Sequence, residues 1–251
     1  MTTTRRDFAK NALAATAAFS LPSFAMADNK SEIKKLKIVC VGGHPDDPET
    51  GCGGTLAKLA ALGNEVTIIY LTGGEAGIEG KSHAEAASIR TKEAIAACKI
   101  LNAKAVFAGQ IDGDAIVNNE WVTKIKTLIT AEKPDIVFTH WPLDSHKDHQ
   151  CASLLTIQSW VRSGKIFELY FFEVCTGTQT MCFKPTDYVD ITSVKEQKRN
   201  AVYCHASQNA IDLYKDSDCN HGMMEKFRGM EMSVPAAEAF VRMENSLNFA
   251  S

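Results

Sequence analysis

Short apolar runs alternate along this chain with longer segments in which apolar positions return every three or four residues. Lys37–Val41 (KIVCV), Val66–Leu71 (VTIIYL), Ala105–Ala108 (AVFA) and Asp135–Thr139 (DIVFT) are rich in β-branched residues and lack polar alternation. That is the pattern of strands buried on both faces. Between them, Gly53–Leu62, His83–Leu101 and Asn119–Lys133 read as helices, and a fourth helix is predicted from about Lys147 to Val161. Strands separated by helices of this length form right-handed βαβ units, hence a mostly parallel sheet covered on both faces. After Phe167 the pattern is less regular, with a strand expected at Leu169–Val174 and a helix from about Val194 to Cys204.

The predicted fold class is α/β, a Rossmann-like three-layer α/β/α arrangement with a mostly parallel sheet. Composition agrees: 251 residues, 45% apolar and 23% charged, suit an ordinary globular chain with one sizeable core and exclude disorder. A formal net charge of −3 leaves no basic excess to neutralise phosphates, so nucleic acid is not an expected partner.

The N-terminus reads as an address. Thr4-Arg5-Arg6-Asp7-Phe8-Ala9-Lys10 is a twin-arginine pattern, followed by a weakly hydrophobic, Ala-rich run to Phe24 and by Ala25-Met26-Ala27, an A-x-A cleavage site. The expectation is a signal peptide over residues 1–27 and a single domain over 28–251, exported already folded to the periplasm or beyond. On this reading no membrane span is left.

Eight cysteines stand at positions 40, 52, 98, 151, 175, 182, 204 and 219, and no two are spaced C-x-x-C. A zinc ribbon or thioredoxin-type site is therefore unsupported. Cys40 reads as a small buried hydrophobe, and one or two disulfides among the last four cysteines stay open.

The candidate chemistry gathers where strands end. Directly after the first strand comes Gly42-Gly43-His44-Pro45-Asp46-Asp47-Pro48-Glu49-Thr50-Gly51-Cys52-Gly53-Gly54, and directly after the fourth comes His140-Trp141-Pro142-Leu143-Asp144-Ser145-His146-Lys147-Asp148-His149. In an open parallel sheet both loops emerge at the carboxyl edge, where ligands bind. Histidines and carboxylates converging there without a cysteine suit a divalent metal with mixed N and O ligands, zinc first. Of His44, Asp46, Asp47, His146, Asp148 and His149 only some can ligate, because a catalytic metal needs an open position and its water needs a base. Asp46 and Asp47, neighbours in an extended turn, point in different directions, so one can bind metal while the other faces water.

The H-P-D-D run followed by G-C-G-G-T, together with P-x-D-x-H-x-D-H after the fourth strand, resembles the LmbE/PIG-L family of zinc-dependent N-acetylglucosaminyl deacetylases. Thr72-Gly73-Gly74-Glu75-Ala76-Gly77, Arg90-x-x-Glu93-Ala94 and Lys198-x-x-Ala201-x-x-x-His205-x-Ser207-Gln208 are similar to further pieces of it. The resemblance spans about residues 37–208 and implies a deacetylase acting on a small N-acetylated sugar or glycan, with Zn2+ or another divalent metal as cofactor. It implies His44, Asp47 and His149 as metal ligands and Asp46 as general base on the attacking water. His146 would stabilise the oxyanion or protonate the leaving amine, and Asp148 would orient His146. Arg90 and Asp112 resemble positions that contact substrate hydroxyls. Pro48 stands between the aspartate pair and Glu49, whereas many members carry the acid immediately after the pair.

Blander readings stand beside these. Ser145-x-x-Asp148 is also a helix capping box, and His140, ending an apolar strand, reads as a packed histidine. Arg90 lies on the stripe of Ala94, Ala97 and Leu101, where it either snorkels toward Glu93 or reaches the site. His205, Ser207 and Gln208 read as a polar cluster at a helix C-terminus. Trp121 and Trp160 read as core, whereas Trp141 follows the fourth strand and could stack on a sugar ring. Two other function classes are open. A dinucleotide-binding oxidoreductase would use the Gly-rich first turn, but the glycines read G-x-G-G and Asp46 and Asp47 would repel phosphate. A non-catalytic periplasmic metal- or glycan-binding protein would keep the ligands and have no need of Asp46 beside them.

Overall fold

The computed structural model describes residues 35–176, 178–214 and 221–244. The twin-arginine segment, the A-x-A site and Cys219 lie outside them. The elements run β1 (Lys37–Gly42), α1 (Asp47–Ala61), β2 (Glu65–Thr72), α2 (His83–Ile100), β3 (Ala103–Gln110), α3 (Asn119–Ala131), β4 (Ile136–His140), α4 (Lys147–Arg162) and β5 (Glu168–Phe172). They continue with β6 (Asp187–Asp190), α5 (Lys195–Val202), α6 (Ala210–Leu213), α7 (His221–Met232) and β7 (Ala237–Arg242).

The sheet order is β3-β2-β1-β4-β5-β7-β6. Strands β1 to β5 are parallel, and β7 runs antiparallel to both β5 and β6. Successive residues of β1 face opposite sides. Ile38 and Cys40 pack with Leu56 of α1, Ala94 and Ala97 of α2 and Leu101 at its C-cap, while Val39 and Val41 pack with Ile125 of α3 and Leu155 of α4. Each side of the strand is buried by a helix pair, which is why its sequence shows no alternation. The three-layer α/β/α architecture and the mostly parallel sheet agree with the pattern-based expectation.

Boundaries differ where chemistry overrides periodicity. Helix α1 begins at Asp47 rather than Gly53, so the expected extended turn is already helical; Cys52 (φ −145°, ψ 16°) breaks the helix in its middle. The break is held from outside. The Glu238 carboxylate accepts from Gly54 N and Thr55 N (2.9 and 2.7 Å), capping the second half of the helix as a side chain caps a fresh N-terminus. Strands β6 and β7 and helix α7 had no clear signal: β6, at the sheet edge, is half-buried throughout, and β7 sets the buried Glu238 between two alanines. No disulfide joins two of the described cysteines, and Cys40 is fully buried. No described helix is long and apolar enough to cross a membrane.

Candidate active site

Strand β1 pairs with β2 on one side and β4 on the other. The chain builds outward from β1 in one direction and then returns to build in the other, so the loops after β1 and β4 leave the sheet on either side of a crevice. The first loop carries His44, Asp46 and Asp47, and the second carries Asp144, His146, Asp148 and His149. His44, Asp46, Asp47, His146 and His149 meet in a cavity of about 440 Å³, also lined by Thr50, Ala76, Gly77, Arg90, Asp112, Gly113, Val174, Gln179, Gln208 and His221; Asp144 and Asp148 are not in the lining.

Asp47 sits at the centre. One carboxylate oxygen lies 3.1 Å from His44 Nδ1 and the other 3.2 Å from His149 Nε2. Three overlapping sets bring ligand atoms within 4.8 Å of one another: His44, His146 and His149; Asp47, His140 and His149; His44, Asp112 and Asp148. Behind His149, Asp144 Oδ1 lies 3.1 Å from Nδ1 and accepts from the His146 backbone N–H at 2.8 Å. Thr180 Oγ1 donates to its other oxygen at 3.0 Å. A carboxylate on Nδ1 fixes the ring and turns Nε2 toward Asp47 and the cavity, the usual support for a metal-binding histidine.

Asp46 is held differently. It occupies the N-cap of α1 with φ 105°, a conformation rare outside glycine, and its side chain does not cap the helix. Arg90 Nη2 donates to Asp46 Oδ2 at 3.1 Å and to the Pro45 carbonyl at 2.6 Å. Gly74, at φ +72°, makes room for this arginine, since a Cβ there would lie 2.5 Å from Arg90 Nη1. The adjacent aspartates are thus separated by a strained backbone link, one facing the histidines and one facing the guanidinium.

Burial pushes the Asp46 carboxyl up to about 6, with Arg90 opposing the rise. Burial also disfavours the Asp47 carboxylate, but His149 and His140 outweigh it and hold the group well below the usual range. For His149 the same desolvation is overcome by Asp47 and Asp144, which raise it to about 9. Burial lowers His140 to about 4. Its Nε2 lies 3.0 Å from Gly43 N, placing the lone pair on that backbone donor, and its ring stacks on His149 with centroids 4.1 Å apart. His140 is packed and hydrogen-bonded at the strand end, and its Nε2 also lies 3.3 Å from Asp47 Oδ2.

The remaining positions sort as follows. Asp112 Oδ1 lies 3.1 Å from His44 Nε2, and Arg90 is buried with Asp46 while Glu93 bonds Ser207 instead (Oγ to Oε2, 2.6 Å). Arg90 therefore reaches the site rather than snorkelling toward Glu93. The Asp148 carboxylate contacts His44 Nε2 (3.1 Å) and accepts from Gly113 N (2.7 Å), not His146 as expected. It departs from expectation because His146 is itself the N-cap of α4, its Nδ1 accepting from Asp148 N at 3.2 Å; His146 also replaces Ser145 as the cap. Trp141 is absent from the cavity lining. Its ring packs edge-on to Phe171 and Phe183, and its Nε1 donates to the Met181 carbonyl at 3.0 Å. Gln208 lines the cavity, and His205 is fully buried with Nε2 3.2 Å from Glu49 Oε1. Val174, Gln179 and His221 were missed because they come from the irregular C-terminal third, where no periodicity assigns a residue to a face.

The residues present fit a divalent cation. Asp46, Asp47 and Asp112 line the cavity with one guanidinium, and the buried Asp148 Oδ1 has no hydrogen-bond partner. Two imidazoles and a carboxylate are a donor set for zinc-like metals; Asp47 touches both His44 and His149, while the group of this kind with all ligand atoms within 4.8 Å is Asp47, His140 and His149.

Residues 39–160 match the PIG-L family, GlcNAc-PI de-N-acetylase. The diacetylchitobiose deacetylase of Thermococcus kodakarensis is 32% identical over 215 residues, covering 80% of this chain and 79% of that protein. A 4-oxalmesaconate hydratase of Pseudomonas putida is 25% identical over 205 residues, covering 74% of this chain and 79% of its own. Among solved structures, the N,N'-diacetylchitobiose deacetylase of Pyrococcus horikoshii superposes with a TM-score of 0.73 at 28% identity, covering 83% of this chain and 84% of that one.

Proposed function

Because the chain belongs to the PIG-L family of GlcNAc-PI de-N-acetylases, we propose that it is a zinc-dependent amide hydrolase that removes the acetyl group from an N-acetylglucosamine-type substrate. The observation that carries this reading is the division of labour between adjacent aspartates: Asp47 faces His44 and His149, while Asp46 is turned to the cavity and Arg90. Simple metal binding has no use for the second carboxylate. A Gly-rich phosphate site would be defeated by both.

His44, Asp47 and His149 would hold the metal, which when bound acidifies a water and polarises the amide carbonyl. Asp46 takes the proton of the attacking water on a carboxylate oxygen, and its raised pKa makes it a stronger base than an exposed aspartate. His146, with its ring centroid 4.6 Å from that of His44, is placed to hydrogen-bond the developing oxyanion and to protonate the departing amine. Asp148 and Asp144 hold His44 and His149. Arg90 and Asp112 orient the sugar, which leaves as a free amine beside acetate. The same reading puts the mature protein outside the inner membrane, on the strength of Arg5, Arg6 and Ala25-Met26-Ala27.

The test is release of acetate and primary amine from N-acetylglucosamine and N,N'-diacetylchitobiose by zinc-loaded protein. Equal amounts of both products are expected, with loss on chelation and recovery on adding zinc. A fully metallated sample that releases neither product overturns the reading; turnover of an unsaturated acid by hydration would place the chain with its Pseudomonas relative.

A further inference from the structure

We propose that His221 is a substrate-contacting residue that reads a hydroxyl of the sugar beside the acetamide, an inference that rests on the deacetylase reading above. His221 opens helix α7, far outside the 39–160 family match, yet it lines the same cavity as Asp46, Asp47, Arg90, His146 and His149. It is 5% exposed, and it lines the cavity.

The ring has a seat. Its Nδ1 and Nε2 lie 3.7 and 3.6 Å from Cys175 Sγ. Cys175 adopts φ +44°, and its carbonyl accepts from both Thr178 N and Gln179 N at 2.9 Å, a tight turn that also brings Gln179 to the cavity. His221, Val174 and Gln179 therefore stand on one wall.

The role follows from what the other walls can offer. Asp46 and Asp112 accept hydrogen bonds only, Arg90 donates only, and His44, Asp47 and His149 are committed to the metal, so His221 joins Thr50, Gln179 and Gln208 as the uncharged groups of the lining that can both donate and accept. His221 belongs to none of the three sets of close ligand atoms. Burial lowers its pKa to about 4, so near neutral pH it carries no charge. A neutral imidazole both donates and accepts, as a sugar hydroxyl does, and it can pair with one without bringing a charge into the cavity. A second metal ligand would be placed among the ligand atoms; a packed core histidine would not face the cavity.

Full-length zinc-loaded wild type, His221→Ala and His221→Gln decide the matter with N-acetylglucosamine as probe. The expected result is a KM about tenfold higher in His221→Ala, with kcat within about threefold and one zinc per chain retained. His221→Gln, which keeps a donor and an acceptor at similar reach, should recover part of the lost KM and decides the case if the alanine variant does not fold. Unchanged KM in both variants overturns the proposal, as does loss of zinc from both, which would make His221 a ligand. A wild type that releases no acetate overturns instead the deacetylase reading, and this inference with it.

Discussion

Arg90, in the middle of α2, and Asp46, at the N-cap of α1, are joined by a hydrogen bond of 3.1 Å across 44 residues of sequence. The guanidinium is buried, so the pair is little screened by water. It sets both the position of the carboxylate and its affinity for a proton.

A pH profile should show this directly. Asp46 must be ionised to accept a proton, so activity is present above its pKa and lost as pH falls through it. With the carboxyl at about 6, kcat/KM should decline tenfold per unit below about pH 6. Arg90→Gln removes the cation that opposes the rise and should move this limb to higher pH. An identical limb in both proteins would show that Arg90 does not tune the base.

Two identical substitutions should fail differently. Asp47→Asn puts a weak neutral group between His44 and His149, so zinc affinity should fall and excess zinc should restore part of the rate. Asp46→Asn should retain zinc and lose on the order of a hundredfold in kcat, without rescue by metal. Zinc content and turnover measured side by side check this, and the reverse pattern would exchange the two roles.

Asp144 serves the site through His149. Asp144→Asn keeps the shape but weakens the hold on His149 Nδ1, and roughly 10–100-fold weaker zinc binding is expected. Competition with a chelator measures it. Undiminished affinity would mean that helix α4 alone orients the ring.

Gly51 links the site to the core. A Cβ there would fall 2.8 Å from Phe172 Cε2 and 3.2 Å from the Glu173 carbonyl. Gly51→Ala should therefore destabilise the fold by about 1–3 kcal/mol, read as a lower midpoint in denaturant. Wild-type stability would show that β5 gives way without cost.

Much of this was legible beforehand, for identifiable reasons. The parallel half of the sheet declares itself because its strands are buried on both faces, leaving unbroken apolar runs such as VTIIYL in β2. The two chemical loops are legible because each directly follows such a run. Local order also exposes the pairing of two aspartates and the spacing of His146, Asp148 and His149 on the first turn of one helix.

What the chain alone determined, then, is which residues are brought to the carboxyl edge; which of them touch was decided only by the tertiary structure. Asp148 reaches His44 rather than His146 because Gly113, from the loop after β3, fixes its carboxylate, and no sequence spacing relates those loops. Trp141 turns away because Phe171 and Phe183 offer it an apolar seat from residues more than twenty positions downstream. His221 joins the cavity because α7 returns beside β7, a strand whose buried stretch sets Glu238 between two alanines and so carries no apolar run. Side-chain partners depend on distances between separate elements, and a linear pattern records only which face of its own element a residue occupies.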